Sequence, residues 1–570
     1  MELITTSPSL WTHIYVRDSD KDYEEALTCA LKYSRSYPLT VTIDLPFVAY
    51  GREHRIWEEI HRIKEITFKR SAESIRNVSV VDVTAMDYFY DKVYMLLNGF
   101  DSIPTEHIIV DHSFDFYSLS MMKQRFPKTP KLKGLTYWCL TTESFNSIDA
   151  ENLEFLSASS PLDILYPYLA PLQRLRRLVL TQAGEVSGGG TSIPVADSRS
   201  LPPLQILEFY QSSPRSLRPF LVYTNTHLVK LHVKLSWGEF CETSPFFSNL
   251  HSLYFLHIIL KAPTAPVTDI QLLLPSLPHV QRFELDQQTA KDSPEAVQFP
   301  VAPELMASVL DACGSSLPGV RNLYLHLVDA TPIESALQIL ERMKLLQKVD
   351  YRGQVTESKT PTRSTRLSLA RVEKMVVSST LLLAYLSLPL TTHISIRSKA
   401  DKNNNTIPII EAPQVQTLMV HSSSASIFNL NSFPRLDKLT WIDPGGGCAS
   451  IPRNVHNLTH ICFDYTSPRK ESNDFCELLL RYPLSCRGLH TIEMRAYPEW
   501  DILFLMLVRR NIEAGEGVTR VSTIKMPGFP GVSLLQPMTK LLSGCMPEKM
   551  PPLSELSLGI VDGPYFDVNV

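Results

Sequence analysis

Four acidic residues near the amino terminus have the spacing of the first ligands in a calcium-binding loop. They are Asp18, Asp20, Asp22 and Glu24. Tyr23 stands where such a loop needs glycine for its sharp turn, and Cys29 stands where it needs a bidentate glutamate. An acidic first turn of a helix accounts for the same residues, because carboxylates there are stabilised by the helix dipole. We therefore expect no metal at this segment.

A second group of possible metal ligands comprises His456, His460 and Cys462. If this segment is a strand, alternation places His460 and Cys462 on the same side of it. A structural zinc ion needs four ligands, and no second pair in the sequence supplies the others. We expect isolated strand residues and no metal.

Motifs for phosphate binding and nucleophilic catalysis are absent from the sequence. The glycine runs Gly188–Gly190 and Gly445–Gly447 lack the Lys-Ser/Thr pair that completes a phosphate loop. No G-x-S-x-G elbow, H-E-x-x-H helix or dinucleotide glycine fingerprint occurs. The sequence predicts a protein that is not an enzyme and has no cofactor, although an active site assembled from distant residues is an alternative that motifs do not test.

A proline-initiated pattern, Pro-x-Φ-x-x-Φ-x-Φ with Φ a large apolar residue, recurs along the chain. Nine prolines begin a match, where roughly two would arise by chance. Seven matches are typical of strands, and they start at Pro130, Pro202, Pro278, Pro318, Pro413, Pro434 and Pro551. The matches at Pro498 and Pro527 lie in segments that we interpret as helix or loop. Proline suits the start of a strand, where no ladder donor is needed.

Further copies of the triplet lack the proline. They are Leu175/Leu178/Leu180, Leu228/Leu231/Val233, Leu250/Leu253/Phe255, Val372/Met375/Val377, Leu458/Ile461/Phe463 and Leu489/Ile492/Met494. From Leu178 the central residues fall at 207, 231, 253 and 283, and later at 418, 439 and 461. These steps of 21 to 30 residues are close to the period of about 20–29 in leucine-rich repeats. Amphipathic stretches separate some of the strands, at 303–312, 332–346, 473–481 and 500–512. Polar segments at 183–200, 354–365, 398–406 and 443–450 are interpreted as surface insertions.

Strands alternating with helices predict an α/β fold, an irregular leucine-rich-repeat-like solenoid. In this horseshoe a parallel sheet lines the concave face and helices cover the convex face. We assign residues 83–570 to this array. Residues 18–82 form an opening unit, with a helix over 21–34, a strand over 39–45, a second amphipathic helix and a strand over 75–80.

The amino-terminal segment Thr6-Ser7-Pro8-Ser9-Leu10-Trp11-Thr12-His13-Ile14 resembles the stretch that closes the F-box in mushroom-type fungal F-box proteins. Residues 34–43, Ser-Arg-Ser-Tyr-Pro-Leu-Thr-Val-Thr-Ile, look like the strand that follows there. Residues 1–17 would then be the remnant of the carboxyl-terminal end of the F-box, and Trp11 would pack onto the first helix. The resemblance implies a substrate-recruiting module of a cullin-type ubiquitin ligase, which would contact a Skp-type adaptor only if an F-box lies upstream.

Binding to another protein is the function that this architecture predicts, on the exposed side of the strands. The candidate residues stand between or just after the inward apolar pair: Trp138, Glu208, Tyr210, His232, Lys234, Tyr254, Glu284, Tyr324 and His326. Aromatic and charged groups at such positions suit hot spots for a protein partner. A leucine-rich-repeat scaffold with no ligase connection is the alternative, and in either case the target is unknown.

Bulk composition excludes several other classes. The 55 basic and 59 acidic residues nearly balance, and no run of five like charges occurs, so nucleic acid is not an expected partner. The longest apolar stretch is about half of a bilayer span, and the nine cysteines are scattered singly. We expect no membrane contact and a cytoplasmic or nuclear location.

Overall fold

A computed structural model describes the chain in several stretches. The described residues are 8–17, 23–45, 55–70, 93, 97, 102–110, 128–137, 148, 150–158, 165, 168–181, 201–210, 214–223, 227–261, 274–288, 301–356, 366–397, 409–421, 430–442, 457–464, 470–494, 499–529, 532–548 and 561–569. The chain divides into two compact units, Met1–Lys261 and Ala262–Val570.

The first unit is built on a parallel sheet whose strands follow one another in chain order. Its strands are β1 (His13–Arg17), β2 (Leu39–Leu45), β3 (Ile63–Arg70), β4 (His107–Val110), β5 (Gly134–Tyr137), β6 (Phe155–Ala158), β7 (Arg177–Leu180), β8 (Ile206–Phe209), β9 (Lys230–Leu235) and β10 (Phe255–Leu260). Every neighbouring pair is parallel. Parallel neighbours require a crossover between them, and the described crossovers include α1 (Tyr23–Ser34), α2 (Pro214–Tyr223), α3 (Trp237–Thr243) and a kinked 3₁₀ segment, Arg55–Arg62.

The second unit repeats this plan. Its main sheet contains β11 (Arg282–Gln287), β12 (Asn322–His326), β14 (Lys348–Arg352), β17 (Lys374–Val377), β19 (His393–Ile396), β20 (Thr417–His421), β21 (Lys438–Ile442), β22 (His460–Asp464), β23 (Thr491–Met494), β24 (Thr523–Phe529) and β25 (Val561–Asn569). Among the strands that the structure describes in this sheet, only β25 runs antiparallel, and it pairs with β24. Two short parallel pairs lie beside it: β13 (Thr331–Pro332) with β15 (Val355–Thr356), and β16 (Leu367–Ser368) with β18 (Leu386–Ser387).

Helices connect many of these strands. They are α4 (Pro303–Ser316), α5 (Ile333–Arg342), α6 (Thr380–Ala384), α7 (Lys470–Arg481), α8 (Trp500–Val508) and α9 (Val532–Leu542). A π-helical turn, Arg509–Glu513, follows α8. The four helical stretches predicted from the sequence correspond to α4, α5, α7 and α8, whereas α2, α3 and α9 were not predicted because turn-forming or polar residues interrupt their apolar periodicity.

The apolar triplets form the core of both sheets, as their spacing predicts. Leu207 and Phe209 in β8, and Leu204 just before it, are completely buried. Their register partners in β9 are equally buried, because in-register pairing stacks the same triplet position from strand to strand. Each such side chain contributes roughly 1.5–3 kcal/mol by leaving water. A large open parallel sheet with an apolar inner face is therefore established for each unit.

The predicted register of β10 is wrong. The sequence assigns its triplet to Leu250, Leu253 and Phe255. The structure instead pairs Leu256 with Leu231 and Ile258 with Val233. The true triplet is therefore Leu253, Leu256 and Ile258. Apolar residues are nearly continuous here, so periodicity alone permits more than one register.

Other local predictions have mixed outcomes. The opening unit has its predicted helix and first strand, but its next strand is Ile63–Arg70. The predicted strand at 75–80 lies outside the described residues, as do the Pro551 triplet and nearly all of the four polar segments. The Pro498 match falls in helix α8, while the Pro527 match begins within strand β24. Trp11 packs on α1, with its ring 5.1 Å from that of Tyr33.

A buried arginine binds backbone carbonyls near the carboxyl-terminal end of the second unit. Arg510 is 2% exposed and lies in the π-helical turn. Its guanidinium donates to the carbonyls of Ser485 at 2.7 Å and Cys486 at 2.6 Å. Burial lowers the pKa of Arg510 to about 10. The group therefore satisfies carbonyls that would otherwise be buried without partners.

Candidate functional site

The outward side of each sheet carries the side chains that alternate with the buried triplets, and we call it the strand face. Because the strands are in register, equivalent positions form rows that cross the strands. In the first unit Glu208, His232 and His257 occupy one such row. In the second unit the equivalent row begins with Glu284, Tyr324 and Asp350, so side chains distant in sequence become neighbours.

Two of the predicted binding residues in the first unit belong to one polar group. Arg177 donates to Glu208 at 2.7 Å through Nη2. The Tyr210 hydroxyl donates to the other carboxylate oxygen of Glu208 at 3.3 Å. Burial and the negative charge of Glu208 raise the pKa of Tyr210 to about 12. Glu208 and Tyr210 are thus held in place by neighbouring side chains and form part of the ordered polar surface of the strand face.

His232 meets a histidine that sequence reasoning missed. Its Nδ1 lies 3.1 Å from Nδ1 of His257, so one ring donates and the other accepts. Phe255 packs edge-on against His232, with ring centroids 4.7 Å apart. The signal for His257 was hidden by the wrong register of β10, which made Tyr254 look like the strand-face residue.

Three further candidates stand in different situations. Lys234 is half-buried in β9, opposite Ile259. Tyr254 is 43% exposed but precedes β10. It lies immediately before the strand, so it does not occupy the strand-face position that the sequence predicted. Trp138 lies outside the described residues.

Glu284 and Tyr324 of the second unit are joined by one arginine. Arg282, two residues before Glu284 on the same strand, donates to its carboxylate at 2.7 Å through Nε. The same guanidinium lies over the Tyr324 ring, 4.9 Å from its centroid. A carboxylate, a guanidinium and a phenol ring therefore form a continuous patch across β11 and β12.

His326 is the centre of a second group that spans three strands. Its Nδ1 lies 2.7 Å from Oδ1 of Asp286, and its Nε2 lies 3.8 Å from Oδ1 of Asp350. Arg352 holds Asp350 with two donors, at 2.9 and 2.7 Å. The Asp286 carboxylate, and after it that of Asp350, raises the pKa of His326 to about 9. Although burial alone would raise it, the interactions with His326 and Arg352 lower the pKa of Asp350.

The charges of this second group cancel. Asp286 and Asp350 supply two negative charges, while Arg352 and protonated His326 supply two positive ones. The group thus resembles an internal ion-pair network more than a site waiting for a charged ligand. Each member is held by its neighbours, which fixes the shape of this part of the strand face.

The possible metal ligands are not brought together. His460 and Cys462 lie on adjacent strand-face positions of β22, and Nε2 of His460 is 3.5 Å from Glu493. Burial and the positive charge of Lys438 lower the pKa of His460. In the described stretches no group of three or more His, Cys, Asp or Glu side chains could hold a metal. His456 and the first three acidic residues of the calcium-like segment lie outside those stretches.

Sequence reasoning also missed a set of lysines on the second unit. Lys348, Lys374 and Lys438 occupy one row of the strand face. Each stands immediately before the central apolar residue of its strand, whereas the prediction considered only positions between or after the inward pair. The signal was present in the sequence, as a lysine preceding Val349, Met375 and Leu439.

Among the helices in the described part of the chain, none has the length and apolar character that a bilayer span needs. In comparisons with known proteins, no family model matches the chain, and no curated protein matches it at a significant level.

Proposed function

We propose that the chain is a non-catalytic protein-binding module with the architecture of an irregular leucine-rich-repeat solenoid. In this horseshoe the strand faces form the concave side and the helices the convex side. The observation that carries the proposal is the register: nine consecutive parallel strand pairs in each unit align the same triplet position. Stacked repeats of this kind bury a continuous core and leave an extended surface for a partner.

The polar groups of the strand faces support this proposal. The ion pairs Arg177–Glu208 and Asp286–His326 hold their side chains in fixed orientations, and these side chains remain partly exposed on the strand face. An ordered, mixed polar and aromatic surface is typical of protein recognition. Binding to it would lose less side-chain entropy than binding to mobile residues.

The ligase connection rests on the resemblance of residues 6–14 and 34–43 to mushroom-type F-box proteins. In this proposal the solenoid holds a protein substrate, and a Skp-type adaptor links the F-box to a cullin. The direct test is gel filtration of the purified chain with a purified Skp-type adaptor, repeated with any longer product of the same reading frame. Failure of both to co-elute would leave a repeat scaffold without a ligase connection.

Partner binding itself is tested with a matched pair of variants. Tyr324→Ala removes a half-buried ring from the strand face, whereas Tyr482→Ala removes an exposed ring that follows helix α7. Partners captured from a lysate by the tagged chain would be purified and their binding measured. We expect Tyr324→Ala to weaken the binding at least fivefold, the effect of about 1 kcal/mol, and Tyr482→Ala to leave it unchanged. Partners that bind both variants equally would refute a strand-face binding site.

A further inference from the structure

The cations of the second strand face are unevenly neutralised. Arg282 and Arg352 pair with carboxylates of their own strands. By contrast, among the described residues no carboxylate lies within ion-pair distance of Lys348, Lys374 or Lys438. These three lysines form what we call the cationic row.

The row continues across adjacent strands at a single register. Lys348 pairs with Lys374, which pairs with His393, then Thr417, and finally Lys438. Lys348 and Lys374 are exposed, and Lys438 is partly exposed.

Uncharged side chains fill the face beside the row. From β17 to β21 the central positions hold Val376, Ser395, Met419 and Thr440. Within the described side chains of these four strands, no carboxylate occupies the strand face. Of the flanking carboxylates, Asp350 is paired with Arg352, and Glu493 lies on β23, two strands beyond β21. The strand face from β17 to β21 thus carries positive charge without a paired carboxylate, beside a neutral strip.

The acids nearest in sequence do not pair with these lysines. Glu373 and Asp437 precede Lys374 and Lys438 in the chain, at the turns into the strands. The Asp437 carboxylate accepts a hydrogen bond from Thr459 on the next repeat. Neither acid forms an ion pair with the lysine that follows it, so the cations are available to a partner.

The spacing of the row matches an extended peptide. Three strand steps separate Lys374 from Lys438, which corresponds to about 14 Å at the usual strand separation. Four residues of an extended chain also cover about 13–14 Å. Carboxylates that alternate along such a peptide share one face, so acids four residues apart would reach both lysines.

We propose that the cationic row is the docking surface for an extended acidic segment of a partner protein. This inference rests on the proposed binding function and names the chemistry of the partner for the second unit. Charge complementarity supplies orientation and association rate, while the neutral strip accommodates the backbone of the segment. A protein segment fits better than nucleic acid, because the row contains few cations and the whole chain has a net charge of −4.

The test measures fluorescence anisotropy of a labelled peptide in which glutamate alternates with serine. A second peptide with glutamine in place of glutamate is the uncharged control. We expect the glutamate peptide alone to bind, and to bind several-fold more weakly at about 0.15 M salt than at low salt. Lys374→Glu and Lys438→Glu should each weaken binding about five- to tenfold. The neutral variants Lys374→Gln and Lys438→Gln, which disturb folding least, should give smaller losses in the same order.

Arg487→Glu is the matched control, because it reverses an exposed charge in the turn before β23, off the strand face. Equal binding by wild type, Lys374→Glu and Lys438→Glu would overturn the inference. Preferential binding of single-stranded oligothymidylate, lost in the same variants, would also overturn it and assign the row to nucleic acid. If the peptide fails to bind while Tyr324→Ala still weakens partner binding, only the acidic partner is excluded and the binding function stands.

Discussion

Loss of the proton from His326 should make the second unit less stable as the pH rises through the mildly alkaline range. In the folded chain its imidazolium lies between Asp286 and Asp350, and these partners raise the pKa of His326 to about 9. In the unfolded chain the pKa of a histidine is about 6.5. The folded state therefore holds the proton more tightly, and protonation favours folding.

The size and pH window of the effect follow from this difference. The stabilisation is fully present below about pH 6.5, declines from there to about pH 9, and is lost above it. The rise in pKa corresponds to an upper limit of about 3 kcal/mol. Because 33% of the side chain is exposed, solvent screening reduces the expected contribution to about 1 kcal/mol.

His326→Gln tests this reasoning, since glutamine keeps polar atoms at the site but does not titrate in this range. Urea unfolding of wild type and variant would be compared at several pH values from about 6 to 9.5. We expect the free energy of unfolding of wild type to exceed that of the variant most at the acidic end of this range. The difference should become smaller by about 1 kcal/mol at the alkaline end. His421→Gln, at an exposed position of the same strand face, is the control and should show no such trend.

A second measurement separates the site from global stability. Imidazole NMR titration of histidine-labelled chain, assigned by the signal missing in His326→Gln, should give a midpoint near 9 for this residue. A midpoint at or below 6.5, or a stability difference that is constant with pH, would refute the ion-pair arrangement.

Two packing predictions concern stability alone. Arg510→Met leaves buried carbonyls without a donor and should lower the free energy of unfolding by about 2–4 kcal/mol, with Arg510→Lys less damaging; an unchanged urea midpoint would contradict this role. Gly319→Ala should destabilise by about 1–3 kcal/mol, because the added Cβ would overlap the Pro278 carbonyl oxygen. Gly238→Ala is its control, since open space surrounds that helical position and the change should be neutral or stabilising by up to about 1 kcal/mol; equal effects of the two substitutions in thermal unfolding would contradict the steric argument.

The main sheets were predictable because the triplet combines two independent signals. Proline marks the entry to a strand, and apolar residues two apart mark its inner face, as at Pro202 with Leu207 and Phe209. Strands whose first triplet position is a buried threonine escaped detection, as at Thr105 before His107–Val110 and Thr391 before His393–Ile396. Their apolar pairs alone are too common in a chain of this composition to stand out.

The candidate site was predicted less well, because the register of a strand determines which of its polar residues lie on the strand face and which residues they contact. A shift in β10 replaced His257 by Tyr254 as the expected strand-face residue. Ion pairs such as Asp286–His326 depend on neighbours that are 40 residues apart in sequence. The sequence identifies which residues are charged, but only the register determines which charges cancel.

That cancellation changes where binding energy on the second strand face should come from. A partner that contacts Glu284 or His326 meets charges already satisfied by Arg282 and Asp286, so it must desolvate an intact pair or break it, and either costs free energy. A partner acid beside Lys374 forms a new pair with no loss of an old one. The paired residues should therefore fix the shape of the face, while the unpaired lysines set the charge of whatever binds there.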